Sequence, residues 1–170
     1  MKKILFFVII LLTSLQINAQ AKYIAFKNDM KAENDIFEIQ NTPASELYLI
    51  SKVWLSEIYK KPKRNIVADI DSKLLKINGK AEIPSSNGGV GNASRLVIKY
   101  TIQLEFKENK LKINIPKIEG SYPINYSNLF NPDGSRKETK DKEVFLNDIE
   151  NYFNSLLNSL IHKIENDHKW

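Results

Sequence analysis

The chain has 170 residues, with 25 Lys+Arg against 20 Asp+Glu, two histidines and no cysteine. One domain with a full apolar core fits that length, since 42% of the residues are hydrophobic. The missing cysteines exclude a disulfide framework, thiolate-bound metal, a thiol nucleophile and a lipid anchor on an N-terminal cysteine, leaving His162 and His168 as the whole supply of imidazole.

Met1-Lys2-Lys3 is a short positive head, followed by the apolar run Ile4 to Leu12 and a polar stretch ending in the small residues Ala19 and Ala21. This is the pattern of a secretory signal peptide, and the run is too short for the ~20 apolar residues of a bilayer span. Cleavage after Ala19 or after Ala21 fits; Gln20 is the preferred mature start, giving a leader over 1–19 and one domain over 20–170. Loss of Lys2 and Lys3 lowers the formal charge from +5 to +3, an ordinary value for a small domain. The expected protein is exported, periplasmic or secreted, not a lipoprotein, and without a membrane span once the leader is gone.

Ile36-Phe37-Glu38-Ile39 reads as a first strand. Thr42-Pro43 reads as a helix start, with Thr42 as N-cap and Pro43 at the first helical position. Leu47, Ile50, Val53 or Trp54, and Ile58 then form one apolar stripe at helical spacing, ended by Pro62. The period switches to two at Ile66, Ala68 and Ile70, and after the turn Asp71-Ser72-Lys73 again at Leu75, Ile77, Gly79, Ala81 and Ile83. The longest alternation runs over 95–107, with Leu96, Ile98, Tyr100, Ile102, Leu104 and Phe106 on one side. Such a strand has one dry and one wet face.

Glu108-Asn109 predicts a two-residue hairpin turn, which pairs Phe106 with Leu111, Leu104 with Ile113 and Ile102 with Ile115. Alternation fails after Pro116, so the strand is expected to end there. Residues 84–93 read as a Gly/Ser/Asn loop, and 120–142 as an irregular segment. A terminal helix is expected over about 143–167, with Phe145, Ile149, Tyr152, Phe153, Leu156, Leu157, Leu160 and Ile164 inward. A sheet with one apolar face must be covered, and two amphipathic helices are the available cover. The predicted fold is α+β in two layers, an antiparallel sheet with one face under two helices, in the order strand, helix, strands, helix.

Leu47-Tyr48 with Val53-Trp54-Leu55 on the first helix, the strand pair around Ile66–Ile83 with Asp71 and Gly79, and the long hairpin at 95–116 resemble a known family. It is the exported domain-of-unknown-function family 4468, common in Bacteroidetes and described as having a TBP-like fold. The similarity covers about Asp35 to Glu119. It implies the same strand–helix–strands–helix fold and an extracytoplasmic place. The family has no established activity, so no functional residue is implied.

Catalytic patterns are scarce. There is no Gly-x-Ser-x-Gly, Ser-x-x-Lys or His-Glu-x-x-His. The glycine loop at 87–91 opens onto a strand, where a phosphate loop needs a helix. Asp69 and Asp71, two apart on a strand, could face one way for acid–base work or a divalent cation, although Asp71 falls where a turn begins, and Asn131-Pro132-Asp133-Gly134 is a turn signal rather than a calcium loop. Trp54 and Trp170 could stack on sugars, but Trp54 is expected in the core and Trp170 is terminal.

The wet face is the richest feature. Lys76, Lys80, Lys99, Thr101, Gln103 and Lys112 share it with Asn78, Lys110, Asn114, Glu82 and Glu105. The first six are the candidate ligand-binding residues, for an anionic polymer or an envelope protein. TATA-binding protein grips DNA with apolar wedges on its sheet. The wet face here offers no Phe or Leu in this register, so nucleic acid is not expected. The expected function is a non-enzymatic exported binding domain with no cofactor or metal. The alternatives are a carboxylate-dependent hydrolase or lyase using Asp69 and Asp71, and a structural partner in an envelope complex through sheet-edge pairing.

Overall fold

The computed structural model describes residues 26–28, 31–32, 35–84, 95–121, 129–133, 135–137 and 139–167. The leader, the loop expected at 84–93 beyond Pro84, His168 and Trp170 lie outside them. The elements are β1 (Phe26–Asn28), β2 (Lys31–Ala32), β3 (Asp35–Glu38), α1 (Ala44–Ile58), α2 (Pro62–Asn65), β4 (Ile66–Ile70), β5 (Leu74–Pro84), β6 (Arg95–Lys107), β7 (Lys110–Ser121) and α3 (Lys140–Asp167). β1 and β2 form a small ribbon, and the other strands form one antiparallel sheet in the order β3-β7-β6-β5-β4. Helices α1 and α3 cover one face, which gives the expected two-layer α+β architecture.

Alternation places the dry face as expected. Leu75, Ile77, Ala81, Ile83, Leu96, Ile98, Ile102, Leu104, Leu111 and Ile113 are all buried. The hairpin turns on Glu108-Asn109, with Asn109 in the left-handed region (φ 60°) that Asn tolerates. Lys107 pairs with Lys110, Phe106 with Leu111 and Leu104 with Ile113.

The pairing then slips. Gln103 opposes Asn114 but Thr101 opposes Lys117, so Ile115 and Pro116 both face Ile102 in a bulge. A bulge is one of the few places within a sheet that accept proline, which has no N–H to give. The slip corrects the expected end near Pro116: β7 continues to Ser121, and inward positions change from odd to even, burying Ile118 opposite Tyr100.

Helix α1 also departs from expectation. It begins at Ala44 after Pro43, and Thr42 does not cap it. The hairpin tip claims that residue instead: Thr42 N–H donates to Asn109 Oδ1 at 2.9 Å, and Asn109 N–H donates to the Thr42 carbonyl at 3.0 Å. The helix ends at Ile58, before Pro62, which opens the single turn α2. Its buried stripe is Leu47, Tyr48, Ile50, Ser51, Trp54 and Leu55, while Val53 and Ile58 are exposed. Trp54 is core, and its indole N–H donates to Ser159 Oγ on α3 at 2.9 Å.

Helix α3 starts at Lys140 and buries Leu146, Ile149, Phe153, Leu157, Leu160 and Ile164, with Phe145 and Tyr152 half-buried. Within the segment expected to be irregular, Leu129 and Phe130 join the core, and Phe130 bridges Arg136. The Arg136 guanidinium meets the buried Glu150 carboxylate of α3, which fastens this segment to the helix layer.

Candidate functional site

The face of the sheet turned away from the helices is built in cross-strand rows. Lys80 lies beside Lys99, and Lys99 beside Glu119. The next rows are Asn78–Thr101–Lys117, Lys76–Gln103–Asn114 and Leu74–Glu105–Lys112–Ile36, and the last is Lys107–Lys110–Glu38. All six candidate residues therefore share one face.

They are not one cluster. Lys80, Lys99 and Thr101 line a groove of about 330 Å³, completed by Arg64 and Asn65 of α2, by Asn78, Lys117 and Glu119, and by Gly79 and the buried Tyr100 between them. Lys76 and Gln103 sit one row further along, paired with each other. Lys112 lies beyond them in a second concavity of about 520 Å³, with Ile36, Glu105, Lys107 and Lys110.

Neutralisation is uneven across these rows. Lys112 pairs with Glu105 at 3.3 Å, Lys110 with Glu38 at 3.1 Å, Arg95 with Glu82 at 3.3 Å and Lys117 with Glu119 at 2.6 Å. Among the described residues, Arg64, Lys76, Lys80, Lys99 and Lys107 form no ion pair. The groove is therefore net positive. Lys117, chiefly by its hydrogen bond, and Lys99 more weakly hold the Glu119 carboxyl below the usual range. Like charges set directly opposite on neighbouring strands repel, and Lys80–Lys99 is such a pair.

The groove also contains neutral donors and acceptors. The buried Thr101 Oγ donates to Asn78 Oδ1 at 2.8 Å, which turns the Asn78 amide into an N–H donor toward the groove. Asn65 Nδ2 donates to the Asn78 carbonyl at 2.7 Å and so fixes α2 against β5. Gln103 Nε2 donates to Glu105 Oε1 at 3.0 Å.

Sequence reasoning missed Arg64 and Lys117. The bulge hides Lys117, because it carries the wet face past the point where alternation fails. Arg64 sits on a single helical turn that no periodicity announces. The face is also more apolar than alternation predicts: Leu74, Ile70 and Ile36 lie at its far end, Ile70 opposite Leu74 and Ile36 opposite Lys112. One leucine is thus present where none was expected, though among the described residues no aromatic side chain shares this face.

The paired-carboxylate reading does not survive. Asp69 faces the helix layer, where its Oδ1 accepts from the Tyr48 hydroxyl at 2.6 Å and its Oδ2 from Lys52 Nζ at 3.0 Å. The Tyr48 hydrogen bond, followed by that of Lys52, holds its carboxyl below the ordinary range. Asp71 lies in the exposed turn and accepts from Ser72 Oγ at 3.0 Å. Asp69 is a latch between α1 and the edge strand β4, so the two carboxylates share no site. Asp133 likewise closes a turn, accepting from the Ser135 N–H and hydroxyl.

His162 is exposed on α3 and contacts Asn166 at 3.0 Å. Among the described residues no group of three His, Cys, Asp or Glu could hold a metal ion, and no helix is long and apolar enough to cross a membrane.

Comparison with known proteins places the fold. A family model described as "Domain of unknown function (DUF4468) with TBP-like fold" matches residues 34–120. The crystal structure of a DUF4468 family protein from Bacteroides ovatus is similar at a TM-score of 0.65 and 16% identity, covering 84% of this chain and 93% of that one. A TBP-like protein from Parabacteroides distasonis is similar at a TM-score of 0.60 and 17% identity, covering 79% and 92%. Among curated proteins none matches this sequence.

Proposed function

Because the chain belongs to the DUF4468 family of TBP-like fold, a domain of unknown function, we propose from its own surface that it is a non-enzymatic, exported module that binds an anionic ligand on the open face of its sheet. The observation that carries this reading is the opposed pair Lys80 and Lys99 on the groove floor, neither of them in an ion pair among the described residues, flanked by Arg64 and Lys117, with Glu119 beside Lys99 as the groove's one acid. An anion placed between the two ammonium groups relieves their mutual repulsion, so the unliganded site holds a cost that binding removes. Export is supported by the leader pattern at 1–19, and a non-enzymatic role by the separation of Asp69 from Asp71.

The acidic oligosaccharide trigalacturonate serves as a probe for calorimetric titration. Lys80→Glu turns the repulsive pair into an attractive one, so the fold keeps or slightly gains stability, by about 0.2–1 kcal/mol. Binding weakens by about tenfold, the loss of one charged contact of roughly 1.4 kcal/mol. Unchanged affinity in Lys80→Glu overturns the groove as the binding site.

A further inference from the structure

The groove is one end of a longer feature of the sheet, whose role rests on the anion-binding reading proposed for the groove. A second lysine pair, Lys107 opposite Lys110, lies at the other end of the same face, in the second concavity. Glu38 compensates Lys110 and Glu105 compensates Lys112, so Lys107 carries the net positive charge of this end, having no ion pair among the described residues. Both pairs sit on β6 and its neighbours, so the separation is set by strand geometry: eight residues from Lys99 to Lys107 span about 26 Å at ~3.3 Å each. No small anion reaches across that distance.

The surface between the two pairs is polar and wettable. Lys76, a further lysine without an ion pair among the described residues, makes one row of it with Gln103 and Asn114, and Asn78 makes another beside the buried Thr101. After its internal bonds the face keeps amide groups suited to sugar hydroxyls. It has no described aromatic side chain on which a nucleobase would stack, and stacking supplies much of the grip on single-stranded nucleic acid. From charge complementarity at both ends and hydroxyl-matching chemistry between, we infer that the ligand is an acidic polysaccharide lying along β6, held at two cationic ends of one face. Two linked contacts give an avidity that neither gives alone.

The test compares trigalacturonate with long polygalacturonate on the full mature domain. The wild-type protein binds the polymer on the order of a hundredfold more tightly than the trisaccharide. Lys107→Glu collapses that ratio toward one, while Lys80→Glu weakens both ligands. A ratio that Lys107→Glu leaves intact overturns the two-ended footprint and leaves the groove reading standing. Failure of both ligands to bind the wild-type protein overturns the groove reading itself. Single-stranded DNA of matched length binding as tightly as polygalacturonate overturns the polysaccharide assignment, since the face would then be reading charge alone.

Discussion

Gly79 and Tyr100 are cross-strand partners on the dry face, and the Tyr100 ring lies where a side chain at position 79 would stand. Gly79→Ala therefore drives a methyl group into the ring, and denaturant titration should give a loss of about 1–3 kcal/mol. The Tyr100 hydroxyl bonds those of Tyr59 and Tyr152, each at 2.9 Å, and Tyr100→Phe removes both bonds at a cost of about 1–2 kcal/mol. Burial pushes the Tyr59 hydroxyl up to about 12. The folded state therefore prefers the neutral phenol, and its contribution is complete below the ordinary phenol value near 10 and is lost as pH rises through about 12. Asp69 works in the opposite direction: its lowered pKa stabilises above the ordinary carboxyl value near 4 and is lost as pH falls through the folded value. Midpoints against pH for wild type, Tyr59→Phe and Asp69→Asn should show the alkaline limb flattened in the first variant and the acid limb in the second. Much of this was legible in one dimension, because alternation alone turns Gly79 and Tyr100 inward. That they touch depends on the register between β5 and β6, and that Asp69 meets Tyr48 depends on where α1 lies over the edge strand. Neither can be read from spacing along the chain.

The same limit governs whole elements. Long strands and the terminal helix are readable because each repeats its apolar period many times. Alternation cuts β7 short because a one-residue bulge at Ile115-Pro116 reverses its parity, so a period count sees noise where the ladder continues. Ile118→Ala should therefore cost about 2–4 kcal/mol, the penalty of a truncated core side chain, whereas Lys117→Ala should stay within about 0.5 kcal/mol. Equal effects at the two positions would mean that the strand does end at Pro116. Segment 129–137 reads as irregular because turn residues dominate it, yet Leu129 and Phe130 are buried and Arg136 reaches the Glu150 carboxylate, itself only 1% exposed. Losing Arg136 takes an ion-pair partner from a carboxylate withdrawn from water, a loss that solvent does not make good. Arg136→Ala should cost on the order of 3 kcal/mol, and the double variant Arg136→Met with Glu150→Leu should recover most of it. Thermal melts of the three proteins check this.

Across the whole molecule, the helices claim one face of the sheet and leave the other to water. That sidedness is visible from local alternation, and with it the membership of Lys76, Lys80, Lys99, Thr101, Gln103 and Lys112 in one surface. The division of that surface into a groove, a polar saddle and a second concavity is not. It arises from sheet pairing, from the turn α2 that brings Arg64 to the rim, and from acids that cancel some lysines and spare others. If the groove acts through charge, its affinity falls with added salt, because exposed charges are screened over about 8–10 Å at ordinary ionic strength. The most direct measurement is amide chemical-shift mapping of the labelled domain during titration with trigalacturonate. The account predicts shifts gathered at Lys80, Lys99, Thr101 and Lys117 and quiet amides along α1 and α3. Shifts concentrated on the exposed side of α1 at Leu49 and Val53, or along the free edge of β4, with Lys80 and Lys99 unmoved, would contradict it.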